Sequence, residues 1–296
     1  MKDFRDKVAV ITGGASGIGL GIAHRCAEEK MRIVLGDINE TDLSKAEEEL
    51  NNVGATFIAV RTDVSKRDDV QTLADKTLAA FGAVHLLFNN AGVGAGSTPW
   101  QSTWNEWKWV MSVDLWGVIY GVKVFTPIMQ AQRTECHIVN TSSPAGLIAY
   151  MRSAPYQVAK AAVVALSENL SVSLALQNAL VKVSVLCPGF VRTQVMNAER
   201  NRPAELRDGP AEIDSQDLSA IEATKAAVEA GMSPRELAAH VFSAIREERF
   251  YILTHPEEMP AIRERVENLL NRRNPESPHY DAKDIDSAGA EESTVI

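Results

Sequence analysis

The chain has 296 residues, 45% of them hydrophobic, and a net charge of −9. The negative charge excludes a general nucleic-acid surface, and the apolar content is ample for a large core. Length alone allows two domains, although α/β folds of about 200–250 residues are commonly one.

The segment after Met1, Lys-Asp-Phe-Arg-Asp-Lys, carries no apolar signal stretch. No unbroken apolar run reaches the roughly 18 residues of a membrane span. Cys26, Cys136 and Cys187 are widely spaced, sit in apolar patterns and lack metal-ligand spacing. They read as buried reduced thiols, so a cytoplasmic location is expected and no metal site.

Val8–Thr12 is a short β-branched run, the pattern of a buried strand. Glycines follow at 13, 14, 17 and 19, and then Ile18, Ile22 and Cys26 mark a helical face. Strand, glycine turn and helix form a dinucleotide cradle. Glycines let backbone amides approach a pyrophosphate, and a helix N-terminus favours its charge. Gly13, Ser16, Gly17, Ile18 and Gly19 are the candidate contacts. The spacing is Gly-x3-Gly-x-Gly rather than the usual dinucleotide fingerprint. A plain strand-to-helix turn is the competing reading of the glycines alone.

Asp37 ends the second apolar run, Ile33–Asp37. A carboxylate there accepts hydrogen bonds from ribose hydroxyls and repels a 2′-phosphate. Ile38 follows it and Ser16 is uncharged, so no adjacent cation awaits that phosphate. The balance favours NAD over NADP. A solvated strand-end Asp is the alternative.

Thr56–Val60, Val84–Asn89, His137–Thr141, Val181–Cys187 and Phe250–Leu253 also read as strands, with helical patterns in every gap. The alternation predicts an α/β fold: a doubly wound, Rossmann-like parallel sheet of about seven strands with helices on both faces. Asp37, Asp63, Asn90, Ser143 and Pro188 each follow a strand, so right-handed crossovers bring them to one sheet edge.

Tyr156 and Lys160 are one helical turn apart and share a face. A free tyrosine titrates near ~10, and a nearby cation favours its phenolate. The pair, with Ser143 upstream to hydrogen-bond a substrate oxygen, describes a proton-transfer site. An ordinary helix surface is the competing reading of Tyr-x3-Lys on its own.

Taken together, Thr12-Gly-x3-Gly-x-Gly19, Asn89-Asn-Ala-Gly92, Ser143, Tyr156-x3-Lys160 and Pro188-Gly189 with Thr193 resemble the short-chain dehydrogenase/reductase family across roughly residues 5–254. The resemblance implies that Asp63 and Val64 hold the adenine. It puts Asn90, Ala91 and Gly92 beside the cofactor, and Pro188, Gly189, Val191 and Thr193 around the nicotinamide. Tyr156 serves as base, while Lys160 also binds the nicotinamide ribose. One position departs from the family: Asp114 replaces the usual Asn, which helps hold a water in a proton relay.

The resemblance also sets the boundaries. Residues 1–254 are expected to form one catalytic, NAD-binding domain, with 194–231 as a mobile substrate loop. Residues 255–274 form a helical extension, predicted from Met259, Ile262, Val266, Leu269 and Leu270 at helical spacing. Residues 275–296 carry six acids and one Lys, a net −5, and read as a disordered or loosely docked tail.

The expected activity is NAD-dependent interconversion of a secondary alcohol and a ketone. Val93–Gly96, Pro144–Ile148 and Phe190 add no charge to the pocket, so the substrate is read as apolar and bulky: steroid-, terpenoid- or aryl-alcohol-like. The start and the tail helix are similar to family members that oxidise lignin-derived benzylic alcohols. A catalytically silent NAD-binding sensor or scaffold is the alternative, and a sugar epimerase or dehydratase a third. The six histidines form no motif. The clustered Trp100, Trp104, Trp107, Trp109 and Trp116 point to helical core and a subunit interface. Apolar residues on more than one face of 104–132 and 153–178 predict a homotetramer or dimer.

Overall fold

The computed structural model describes residues 1–149, 153–209 and 215–275. The acidic tail beyond Pro275 and positions 210–214 of the substrate loop lie outside the described residues.

Seven parallel strands form one sheet: β1 (Val8–Thr12), β2 (Arg32–Asp37), β3 (Thr56–Arg61), β4 (Leu86–Asn89), β5 (Cys136–Thr141), β6 (Val181–Cys187) and β7 (Tyr251–Leu253). Their order is β3-β2-β1-β4-β5-β6-β7. All seven expected strands are present. β4 starts later than the apolar run from Val84, because the Gln132 side chain takes both Val84 backbone groups.

Parallel strands covered on both faces are apolar on both sides. Along β1, Ala9 and Ile11 face one layer while Val8 and Val10 face the other. The first layer holds α1 (Gly17–Glu28) and α8 (Pro234–Arg246), with Ile22, Cys26, Leu237 and Phe242 buried against the sheet. The second holds α3 (Arg67–Phe81), α5 (Gly117–Ala131) and α6 (Ala154–Leu176), which bury Leu73, Phe125 and Leu174. Each such side chain, fully buried, contributes about 1.5–3 kcal/mol. The three cysteines are buried and free, as expected.

Among the described residues, the other α-helices are α2 (Glu40–Asn52), α4 (Trp104–Val110), α7 (Ser215–Ala230) and α9 (Met259–Leu270). α4 and α5 are joined without a break by a π-helical turn, Met111–Trp116. Such turns widen a helix locally and recur at functional sites. α6 has 23 residues and an 18-residue stretch of mean hydropathy 1.3, long and apolar enough to span a membrane by composition. Nevertheless, Lys160 and Ser167 lie buried along it.

Strand order reverses between β1 and β4, which pair directly. The loops after these two strands therefore diverge and open a crevice at the carboxyl edge of the sheet.

Candidate active site

Sterics explain the glycine spacing in that crevice. Gly13 has φ +62°, and a Cβ there would lie 2.7 Å from the Ala91 Cα. Gly17 has φ +51° and packs on Thr193, while a Cβ on Gly19 would sit 2.0 Å from the Gly13 carbonyl oxygen. Larger residues at these positions would collapse the loop. Ser16 precedes α1 without capping it through its side chain. The glycine loop is stitched to the loop after β4: the Thr12 hydroxyl accepts from the Asn90 and Ala91 amides, and Asn90 Nδ2 donates to the carbonyls of Thr12 and Gly13. These residues fit a dinucleotide cradle, because backbone reaches its surface where a Cβ would fill it.

Asp37 lies at the carboxyl end of β2. Its Oδ2 accepts from the Ala15 amide at 3.1 Å and its Oδ1 from the Asn39 amide at 3.0 Å. Burial raises its pKa, against these backbone hydrogen bonds. Ile38 is half-buried beside it. After β3, the Asp63 carboxylate turns into its own loop, accepting from both the amide and the hydroxyl of Ser65 and lying 3.4 Å from Lys66 Nζ. Val64 packs against Gly117.

Across the crevice, Tyr156 and Lys160 share one face of α6. Lys160 Nζ lies 5.3 Å from the centroid of the Tyr156 ring. It is 2.9 Å from Asp114 Oδ2 and donates to the Thr141 carbonyl at 3.3 Å. Asp114 sits in the π-helical turn with no solvent exposure, and its Oδ1 accepts from the Val93 amide at 2.8 Å. Burial raises the Asp114 pKa, opposed by the Lys160 charge. Burial alone would depress the Lys160 ammonium, but the Asp114 carboxylate and the Tyr156 phenol together oppose it and the net shift is upward. Gly92 admits this arrangement, because a Cβ there would come within 3.2 Å of Asp114 Oδ2 and 3.3 Å of Lys160 Nζ. Ser143 follows β5 and accepts from the Ala145 amide, and the neighbouring Ser142 hydroxyl donates to the Lys160 carbonyl. The site thus holds a phenol beside a buried ammonium, with a half-buried serine hydroxyl on the same sheet edge.

The loop after β6 closes the crevice. Pro188 and Gly189 lead to Phe190, the buried Val191 and Thr193, which touches Gly17. His255 braces this loop. Its Nδ1 accepts from the Gly189 amide at 2.9 Å, and its Nε2 donates to the Phe190 carbonyl at 3.1 Å. A Cβ on Gly189 would meet the ring at 2.7 Å. No sequence motif marks His255, because its partners are distant in the chain.

Two arginines of the substrate loop carry charge that the sequence did not single out. Arg202 is buried, with its guanidinium 5.1 Å from the Trp109 ring centroid, and it pairs with Glu199 and Asp208. Arg200 reaches Asp42 on α2 at 3.1 Å. Ala198 and Leu206 of the same loop pack with Val93, Trp109 and Tyr156. Of the five tryptophans, Trp109 is core, whereas Trp100 and Trp104 are exposed.

This fold and site define a dinucleotide-binding oxidoreductase architecture. The family model for short chain dehydrogenases matches residues 7–204. A CLA biosynthesis dehydrogenase/reductase of Lactiplantibacillus plantarum is 35% identical over 272 residues, covering 91% of this chain and 95% of that protein. A C alpha-dehydrogenase of a Sphingobium species is 31% identical, covering 92% and 88%. The crystal structure of a short-chain dehydrogenase/reductase from Burkholderia phymatum in complex with NAD is 45% identical, with a TM-score of 0.91 over 95% of this chain and 100% of that one. The chain belongs to the short-chain dehydrogenase/reductase family and is an oxidoreductase of that family.

Proposed function

We propose that this enzyme uses NAD to interconvert a secondary alcohol and a ketone, with Tyr156 as the proton-transferring group. The carrying observation is the Lys160 ammonium, buried under the Tyr156 ring and across the crevice from the glycine cradle. NAD, when bound, supplies the hydride acceptor.

Gly13, Ser16, Gly17, Ile18 and Gly19 hold the pyrophosphate end. Asp37 and Ile38 hold the adenosine ribose, and Asp63 and Val64 the adenine. Asn90, Ala91 and Gly92 line the middle of the cleft, while Pro188, Gly189, Val191 and Thr193 surround the nicotinamide. The Burkholderia phymatum structure in complex with NAD supports NAD as the group these residues would hold.

Ser143 orients the alcohol oxygen. Tyr156, as phenolate, takes its proton, and the Lys160 charge favours that phenolate. Asp114 holds Lys160 in place. The apolar wall of Val93, Trp109, Ala198 and Leu206 beside Tyr156 supports a bulky apolar substrate.

Residues 1–254 serve as the catalytic unit and α9 as an appendage. Its exposed Met259, Val266, Leu269 and Leu270, with Val172 and Leu176 of α6, support self-association into a dimer or tetramer.

The test is NADH formation across steroid, terpenoid, aryl and short aliphatic alcohols, with Tyr156→Phe beside wild type. Tyr156→Phe is expected to lower kcat about 10²–10⁴-fold with NAD affinity retained. Retention of more than about a tenth of wild-type kcat removes Tyr156 from the role.

A further inference from the structure

Four consecutive residues of the substrate loop bridge the two walls of the crevice. On the adenosine side, Arg200 Nη2 lies 3.1 Å from Asp42 Oδ2, and Asn39 Nδ2 donates to Asn201 Oδ1 at 3.0 Å. On the other side, Glu199 and Arg202 pair with each other, and Arg202 stacks over Trp109 while gripping Asp208. Asp208 in turn accepts from the Thr103 hydroxyl and the Asn105 amide at the start of α4.

Asn39 connects the bridge to the ribose-binding position. Its backbone amide donates to Asp37 Oδ1, and its side-chain oxygen accepts from the Asp42 amide while its Nδ2 reaches the loop. One residue therefore touches the ribose carboxylate, the start of α2 and the substrate loop.

We infer that Asn39 and Asp42, with Arg200 and Asn201, form a clasp that holds the substrate loop shut over the adenosine end of the bound dinucleotide. The clasp positions Ala198 and Leu206 against Tyr156, so cofactor retention and the shape of the alcohol pocket depend on the same four side chains. This rests on the NAD reading above. Neither Arg200 nor Asn201 touches the reacting atoms, so both are positioning residues.

The test compares wild type with Arg200→Ala/Asn201→Ala and, as a charge-only variant, Asp42→Asn. NADH release is followed by stopped-flow fluorescence after a chase with excess NAD. Hydrogen exchange of amides 195–206 is read without cofactor. The double variant loses the two bonds across the crevice, one of them charged, and the two that Arg200 Nη1 donates within the loop to the Gln194 and Asn197 carbonyls. Asp42→Asn touches only the charged bridge. Release is expected to speed about 10-fold in the double variant. Exchange across 195–206 rises, and the alcohol KM increases more than kcat falls. Unchanged exchange would show that the clasp bears no load, and faster exchange with unchanged release would show that it does not retain cofactor. Either overturns the inference. Wild-type NADH binding that Asp37→Ala weakens supports the cofactor reading independently. A wild type that binds no NADH overturns that reading and the clasp together.

Discussion

Asp114 Oδ2 and Lys160 Nζ form an ion pair 2.9 Å apart, with both side chains shut off from solvent. Lys160 Nζ lies 5.3 Å from the centroid of the Tyr156 ring, so the charge at position 114 bears on the proposed proton-transfer step. The carboxylate raises the Lys160 pKa and keeps the ammonium charged. It also offsets part of the positive field that favours the phenolate of Tyr156.

Asp114→Asn removes that offset and keeps an oxygen to accept from the Val93 amide. Alcohol oxidation is therefore expected to switch on at lower pH in Asp114→Asn than in wild type, with activity retained. The measurement is kcat/KM for oxidation from about pH 6 to 11, beyond the ordinary tyrosine range. Superimposable profiles would show that the carboxylate does not act on the ionisation of Tyr156.

The same pair makes a stability prediction. Lys160→Ala strands a buried carboxylate, and breaking one side of such a pair costs about 3–5 kcal/mol. Asp114→Asn/Lys160→Met buries no charge and should recover much of that loss. The sign of the pH dependence follows from the Lys160 shift. A cation whose folded pKa is raised gives its full stabilisation below its ordinary value of 10.5, and loses it as pH climbs through the folded value. Urea denaturation at pH 8 and pH 11 should show wild type losing more stability than the double variant. Equal losses would mean the pair contributes no net linkage.

How this pair arises shows where sequence reading stops. The strands were legible because parallel strands buried on both faces are β-branched runs. The glycines at 13, 17 and 19 were legible because their cause is local: a positive φ or a close backbone approach. Tyr156 and Lys160 were legible as neighbours because helical spacing fixes their shared face. The distance from Lys160 to Asp114 follows no such rule, because it depends on a π-helical turn in another helix. Arg200 and Arg202 escaped notice for the same reason. Their partners Asp42, Trp109 and Asp208 are assembled only when the loop folds across the crevice.

Cofactor choice is the next prediction, and Arg200 sharpens it. Ile38 and Ser16 supply no cation, but Arg200 of the substrate loop brings a guanidinium beside the proposed adenosine end, where Asp42 neutralises it. Asp37 stays the dominant charge there, and it repels a 2′-phosphate. NAD is expected to be preferred over NADP by at least about tenfold in kcat/KM, or ~1.4 kcal/mol. Asp37→Ala should narrow the gap, and adding Asp42→Ala should narrow it further by freeing Arg200. Parallel initial rates with both cofactors decide the matter, and equal or better turnover with NADP in wild type would reverse the assignment.

The last prediction concerns His255, which stands far from the motifs yet braces the proposed nicotinamide loop. Both ring nitrogens are committed. Nδ1 accepts from the Gly189 amide with the Thr254 hydroxyl 2.9 Å away, and Nε2 faces the Phe190 carbonyl. The Gly189 amide needs the Nδ1 lone pair, which makes Nε2–H the donor to Phe190. His255→Ala strands the Gly189 amide inside a loop that Gly189 lets pass close to the ring, and leaves the Phe190 carbonyl to the Met232 amide alone. A stranded buried group costs about 1–3 kcal/mol. Part of that cost falls on the bound state, so NAD affinity is expected to drop about 10-fold or more. kcat should fall as well, because the same loop orients the nicotinamide against Tyr156. Gln at 255 offers a donor and an acceptor on one amide and should restore part of both quantities. Titration calorimetry with NAD, run beside thermal melts, separates the two possible roles. A lowered Tm with unchanged NAD affinity would make His255 a fold-stabilising residue only, whereas weakened affinity with partial rescue by Gln identifies it as the brace of the nicotinamide loop.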